Sequence, residues 1–198
     1  MRSIKLSTLA LSSLSLCMSA ALGGGAPKTV VVHAIYPTFQ NVDEMDQASG
    51  LVVLGTPIET FDASAHVGEA SETYEGGFYT FRKVKVRKVI KSVLGVAVKP
   101  GDVVSIVEPA TVLTYPDGAK VRLTTEDYVP MNKGQEYVIF TRPGTPGNYV
   151  IVNHNLGKLP YRSVLVSDTS PAVNTQFNKE QQDKFSKFID DAKKKYKL

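Results

Sequence analysis

Short runs of β-branched and aromatic residues, each closed by Gly, Pro, Asn or Asp, recur between Gly50 and Asn153 and leave no room for a long helix. Leu51 to Leu54 is a solid apolar run between Gly50 and Gly55, the pattern of a strand buried on both faces. Phe78 to Ile90 is longer and alternates. Its parity puts Val84, Val86 and Ile90 on one face and Lys83, Lys85 and Arg87 on the other, as in a strand with one wet side. Val103 to Val107 follows Pro100-Gly101-Asp102 and reads as the next strand. Val112 to Tyr115 and Ala119 to Leu123 flank Pro116-Asp117-Gly118, where Pro presets one turn dihedral and Gly can take a positive one. Glu136 to Arg142 and Tyr149 to Asn153 flank a longer Pro- and Gly-rich loop and form a second hairpin. Six or seven strands spaced in this way predict an all-β barrel or sandwich.

Two regions depart from the pattern. Asp62 to Gly77 has no sustained alternation and reads as a mobile connection between the first two strands. Near the C-terminus, Phe185, Phe188, Ile189, Ala192 and Tyr196 recur at helical spacing, with Asn178 as N-cap and Gln181 three residues on. Lys193, Lys194, Lys195 and Lys197 fall in the last turns, where positive charge complements the helix dipole. The expected organisation is a lead-in over 22–41, a barrel over 42–166, and a linker with a packed helix over 167–198.

The first residues report location. Arg2 and Lys5 precede the apolar stretch Leu6 to Met18, and Ser19, Ala20 and Ala21 follow, the order of a secretory signal peptide over residues 1–21. The stretch is too short to span a membrane. Cys17 offers an alternative, lipid anchoring, but Leu16 is too large for the position before an acylated Cys. Cleavage after Ala21 removes two of 23 basic residues, leaving 21 against 19 acidic, so the formal charge falls from +4 to +2. A global basic field is therefore no argument for nucleic acid. Cleavage also removes the single Cys, so the exported chain holds together without disulfides.

The most distinctive candidate site is the basic strand, in which Arg82, Lys83, Lys85, Arg87, Lys88 and Lys91 fall within ten residues. Alternation aligns Lys83, Lys85 and Arg87 outward, spaced to meet successive anionic groups of an envelope polymer or an acidic protein partner. A solvated face that discourages edge pairing is the plainer account of the same residues. Nucleotide-loop, zincin, nucleophile-elbow and Cys-x-x-Cys motifs are absent, and no cofactor is expected. His33, His66 and His154 lie 33 and 88 positions apart and lack local metal-ligand spacing. Asn41, Asp43, Glu44 and Asp46 form the densest acidic patch, read as helix N-terminal charge rather than as a calcium loop.

The order of these segments carries a resemblance. An acidic lead-in at Asp43 to Ala48 runs into Gly50 to Thr56, followed by Tyr79 to Lys91, Gly101 to Val107 and Lys133 to Phe140. Over residues 42 to 160 this resembles the netrin/TIMP-like OB-fold modules of secreted bacterial proteins. The resemblance implies a five-stranded Greek-key barrel with a helical flank, used for binding rather than catalysis. The animal metalloprotease inhibitors of that superfamily chelate zinc through an N-terminal Cys. A mature chain beginning at Leu22 has no Cys, so that mechanism does not carry over.

The expected function is a secreted non-catalytic binding module. The alternatives are a secreted hydrolase using His33, His66 or His154 with nearby carboxylates, and a structural envelope protein. A His within reach of both a carboxylate and a Ser would favour the hydrolase; an open basic surface would favour the binder.

Overall fold

The computed structural model describes residues 27–69, 77–93, 95–161 and 179–198. The first elements are β1 (Lys28–Val32), α1 (Val42–Ala48), β2 (Leu51–Pro57), β3 (Ala65–Val67), β4 (Tyr79–Ser92) and β5 (Val103–Glu108). They are followed by β6 (Ala110–Thr114), β7 (Lys120–Thr125), β8 (Tyr137–Pro143), β9 (Asn148–Ile151), β10 (Lys158–Pro160) and α2 (Lys179–Tyr196).

Five strands close a barrel in the order β8, β2, β4, β5, β9, with β9 returning to β8. Only the β5–β9 pair in this circuit is parallel. This is the OB-like Greek-key barrel with a C-terminal helix that the strand pattern leads one to expect. Both hairpins form, β6 with β7 and β8 with β9.

The solid apolar run of β2 is explained by its two burying layers. Leu51 and Val53 point into the barrel with Val84, Val86, Ile106 and Ile139. Val52 and Leu54 point outward with Val138 and Phe140, under Val42 and Met45 of α1 and Phe185, Phe188 and Ala192 of α2. The α2 stripe is thus docked on the barrel. Among the described residues no helix is long and apolar enough to cross a membrane.

Three expectations are corrected. First, Ile90 does not share a face with Val84 and Val86. The register steps from Leu54↔Lys88 to Gly55↔Val86, leaving Arg87 as an extra residue on β4, and steps again from Val52↔Lys91 to Val53↔Val89, leaving Ile90 itself without a partner on β2. One inserted residue inverts side-chain parity. Val89 therefore packs on the barrel core, while Ile90 joins the layer under the helices. At this step a Cβ on Gly55 would lie 2.7 Å from Val84 Cγ1, so the close strand approach calls for glycine.

Second, the connection beginning at Asp62 is not free. A 3₁₀ turn at Phe61–Ala63 leads into β3, whose residues Ala65, His66 and Val67 pair with Phe81, Thr80 and Tyr79. Three residues are too few to display a period, which is why the strand is silent in the sequence; residues 70–76 of this stretch lie outside the described residues. Third, the lead-in contains β1, which runs parallel to β7 and completes a three-stranded sheet β1-β7-β6. The 1–21 signal segment, Cys17 and the Asn178 cap lie outside the described residues.

The acidic patch acquires a structural account. The Asn41 side chain accepts from the Glu44 N–H at 2.8 Å, and the Glu44 carboxylate accepts from the Gln40 N–H at 2.9 Å, so α1 is capped reciprocally. Asp43 binds Lys195 at 2.6 Å, and Asp46 accepts from the Tyr196 hydroxyl at 2.8 Å, tying α1 to the end of α2. Lys91 donates to the Asp46 backbone carbonyl from below. These acidic side chains are occupied as helix clamps.

Candidate binding surface

Along β4, Thr80, Arg82, Val84 and Val86 are buried while Lys83, Lys85 and Arg87 are exposed. Lys83 and Lys85 therefore stand on one outward strand face, and Arg87, the extra residue of the bulge, is exposed beside them. Their neighbours modify them. Lys83 lies 3.8 Å from Glu59, and Arg87 forks onto Glu136, with Nη2 3.0 Å from Oε2, and stacks over the Tyr161 ring. Those carboxylates come from distant parts of the chain, so the sequence pattern could not reveal them. Lys85 has no carboxylate partner among the described residues. Lys91 belongs to the α1 clamp, and Arg82 has left the surface.

Arg82 is the main feature that sequence reasoning missed. It is fully buried, with Nε 2.8 Å from Glu108 Oε2, Nη1 donating to Ser64 Oγ at 2.6 Å and Nη2 donating to the Met131 carbonyl at 2.8 Å. The Nε–Oε2 approach is close but poorly aligned, so it acts as an ion pair rather than a hydrogen bond. Glu108 Oε1 accepts from the Tyr128 hydroxyl at 2.7 Å and the Met131 N–H at 2.8 Å. Burial pushes the Glu108 carboxyl above its ordinary value, and Arg82 pulls it back. Lys158 is buried beside them, its Nζ 4.7 Å from the Tyr128 ring centroid, and burial lowers it to about 8. One signal was available: Arg82 shares parity with Val84 and Val86.

The outer face continues across the barrel along the row Phe81↔Val107↔Val150↔Arg142. Above this row opens a cleft of about 360 Å³, floored by Val107 and Val150, walled by Tyr36, Phe39 and His154, and edged by Arg142. Tyr79 packs edge-on against Phe81 at 5.1 Å and links the cleft to the basic row. Arg142 is exposed and has no carboxylate partner among the described residues.

The cleft wall is assembled by one turn, Asn153-His154-Asn155. Asn153 and His154 both adopt left-handed backbone, at φ 56° and 48°, which Asn and His tolerate better than most residues. Asn153 brackets the Phe39 backbone, accepting from its N–H and donating to its carbonyl, each at 3.3 Å. Asn155 does the same for the facing loop, accepting from the Val129 N–H at 2.9 Å and donating to the Asp127 carbonyl at 2.8 Å. Between them His154 stacks on Tyr36 with ring centroids 3.4 Å apart. Burial lowers the His154 imidazole to about 4, with Glu126 opposing and Lys158 assisting that shift. The tightness of the turn is set by Gly157, where a Cβ would sit 1.7 Å from the Val152 carbonyl oxygen.

The histidines occupy three separate environments. His33 is exposed and pairs with Glu126 at 3.0 Å. His66 touches the Thr80 hydroxyl at 2.9 Å, but its Nδ1 accepts from the Val112 N–H at 3.1 Å and its buried Nε2 has no hydrogen-bond partner. His154 serves the cleft wall. Among the described residues no three His, Cys, Asp or Glu side chains are grouped to hold a metal ion.

No protein-family model matches the chain, and no curated protein matches its sequence.

Proposed function

We propose that this protein is an extracytoplasmic, non-catalytic binding module of the netrin/TIMP-like kind, whose β4 outer face engages an anionic envelope polymer or an acidic protein. The observation that carries the reading is the exposed row Lys83, Lys85 and Arg87, backed by the barrel core. Successive outward side chains on a strand repeat about every 6.6 Å, a spacing suited to a chain of anionic groups. By fold analogy, the face of the second and third barrel strands, here β4 and β5, is where OB barrels bind extended ligands. The signal-like segment supports an extracytoplasmic location. The three histidines stand in separate environments, His33 with Glu126, His66 with Thr80 and Val112, and His154 with Tyr36, so the basic row is the stronger candidate site.

The test is retention on a polygalacturonate column at low salt. Replacing Lys83, Lys85 and Arg87 together by Gln should release the protein early while leaving its melting temperature nearly unchanged. Equal retention of both proteins would overturn the reading.

A further inference from the structure

The basic row and the apolar cleft are parts of one surface, since Phe81 pairs with Val107 at the cleft floor and Lys83 and Lys85 follow two and four residues later. The cleft volume of about 360 Å³ suits a large side chain. Its floor is aliphatic and its walls are aromatic, so it rewards burial of an apolar group. Two cations without carboxylate partners among the described residues lie beside it: Arg142 at its edge, level with the Phe81–Val107 pair across the sheet, and Lys85 four residues along β4 from Phe81. A ligand that satisfies this surface carries an apolar group for the cleft and anionic groups that reach Arg142 across the sheet and Lys85 along β4.

We infer that the ligand is an extended acidic protein segment whose bulky apolar side chain enters the cleft between Tyr36 and Val150, with carboxylates meeting Arg142 and Lys85. Its spacing follows from strand geometry. Lys83 and Lys85 stand about 7 and 13 Å along β4 from the Phe81–Val107 pair, and an extended peptide has the same two-residue repeat. An anchor over Val107 stands one strand spacing of about 4.8 Å from β4, so carboxylates two and four residues on come level with Lys83 and Lys85, within reach of their long side chains. The inference rests on the reading of β4 as a contact face and selects the acidic protein over the polymer.

The experiment is fluorescence anisotropy with the labelled peptide Glu-Gly-Phe-Gly-Glu-Gly-Glu and with its reversed sequence, run beside polygalacturonate retention. At least one peptide should bind, and exchanging its Phe for Gly should weaken binding at least tenfold. Arg142→Gln and Lys85→Gln, both at exposed positions, should each weaken it severalfold and flatten its salt dependence. Equal binding of the Phe-free peptide would remove the cleft from the interface and overturn the inference. Failure of every peptide would do the same, and if polygalacturonate were still retained through β4 the polymer reading would stand alone. Loss of both would overturn the β4 reading as well.

Discussion

Arg82 and Glu108 face each other inside the barrel with Nε 2.8 Å from Oε2 and no exposed surface on either side chain. Arg82 is next in sequence to Lys83, whose side chain is 64% exposed. Removing one partner of a buried pair leaves an uncompensated charge, whereas a surface ion pair is worth little. Arg82→Met should therefore destabilise the fold by about 3–5 kcal/mol. Lys83→Met should change stability by no more than about 0.5 kcal/mol. Urea unfolding of the two variants checks this contrast, and similar midpoints would contradict it.

His154 makes stability depend on acid. Its folded value of about 4 lies below the ordinary 6.5, so the native state favours the neutral ring. That contribution is complete above pH 6.5 and is withdrawn as pH falls toward about 4. The ring is only partly buried, so the loss should be on the order of 1–2 kcal/mol after solvent screening. His154→Asn keeps a residue tolerant of left-handed backbone but cannot titrate in this range. It should be less stable at neutral pH, because the Tyr36 stack is lost, and should show a shallower decline between pH 6.5 and 4. Parallel decline of both proteins in pH-dependent urea titrations would remove His154 as the source.

Docking of α2 rests on its apolar stripe far more than on its charges. Phe188 is 2% exposed within the layer formed by Val138 and Phe140. Phe188→Ala should cost about 3–5 kcal/mol. Lys195→Gln, which breaks a partly exposed contact to Asp43, should cost less than about 1 kcal/mol. Thermal unfolding followed by circular dichroism would rank them, and an unshifted transition in Phe188→Ala would mean that α2 contributes nothing to the cooperative unit.

The proposed export has a direct readout at the other end of the chain. Protein recovered from an expressing cell's extracytoplasmic fraction should start at Leu22, as judged by intact mass. A product beginning at a lipid-modified Cys17 would place the protein on a membrane surface instead.

The barrel was legible because its signals are local. Alternation along β4 separates Val84 and Val86 from Lys83, Lys85 and Arg87, and Pro116-Asp117-Gly118 closes a hairpin, using only the stereochemistry of neighbouring residues. The solid run Leu51 to Leu54 likewise announces burial on both faces, and the stripe from Phe185 to Tyr196 announces a docked helix. β3 carries too few residues to show a period and forms because β4 offers it a free edge, whereas β1 did carry a signal, the β-branched run Thr29 to Val32, as long as runs read as strands elsewhere.

What the sequence by itself determined is the alternation of β4 up to its bulge, the two-sided burial of β2 and where the hairpins reverse. Tertiary structure decided which distant groups meet. Glu59 and Glu136 temper two of the three outward cations, Asp43 and Asp46 grip α2, and Glu108 makes a buried Arg82 tolerable. The bulge at Arg87 moved Ile90 to another layer, and the turn at Asn153 to Asn155 built the cleft from segments more than a hundred residues apart. The physical reason is range: backbone preference and side-chain parity act between neighbours in sequence, whereas charge pairing, stacking and close packing act between neighbours in space.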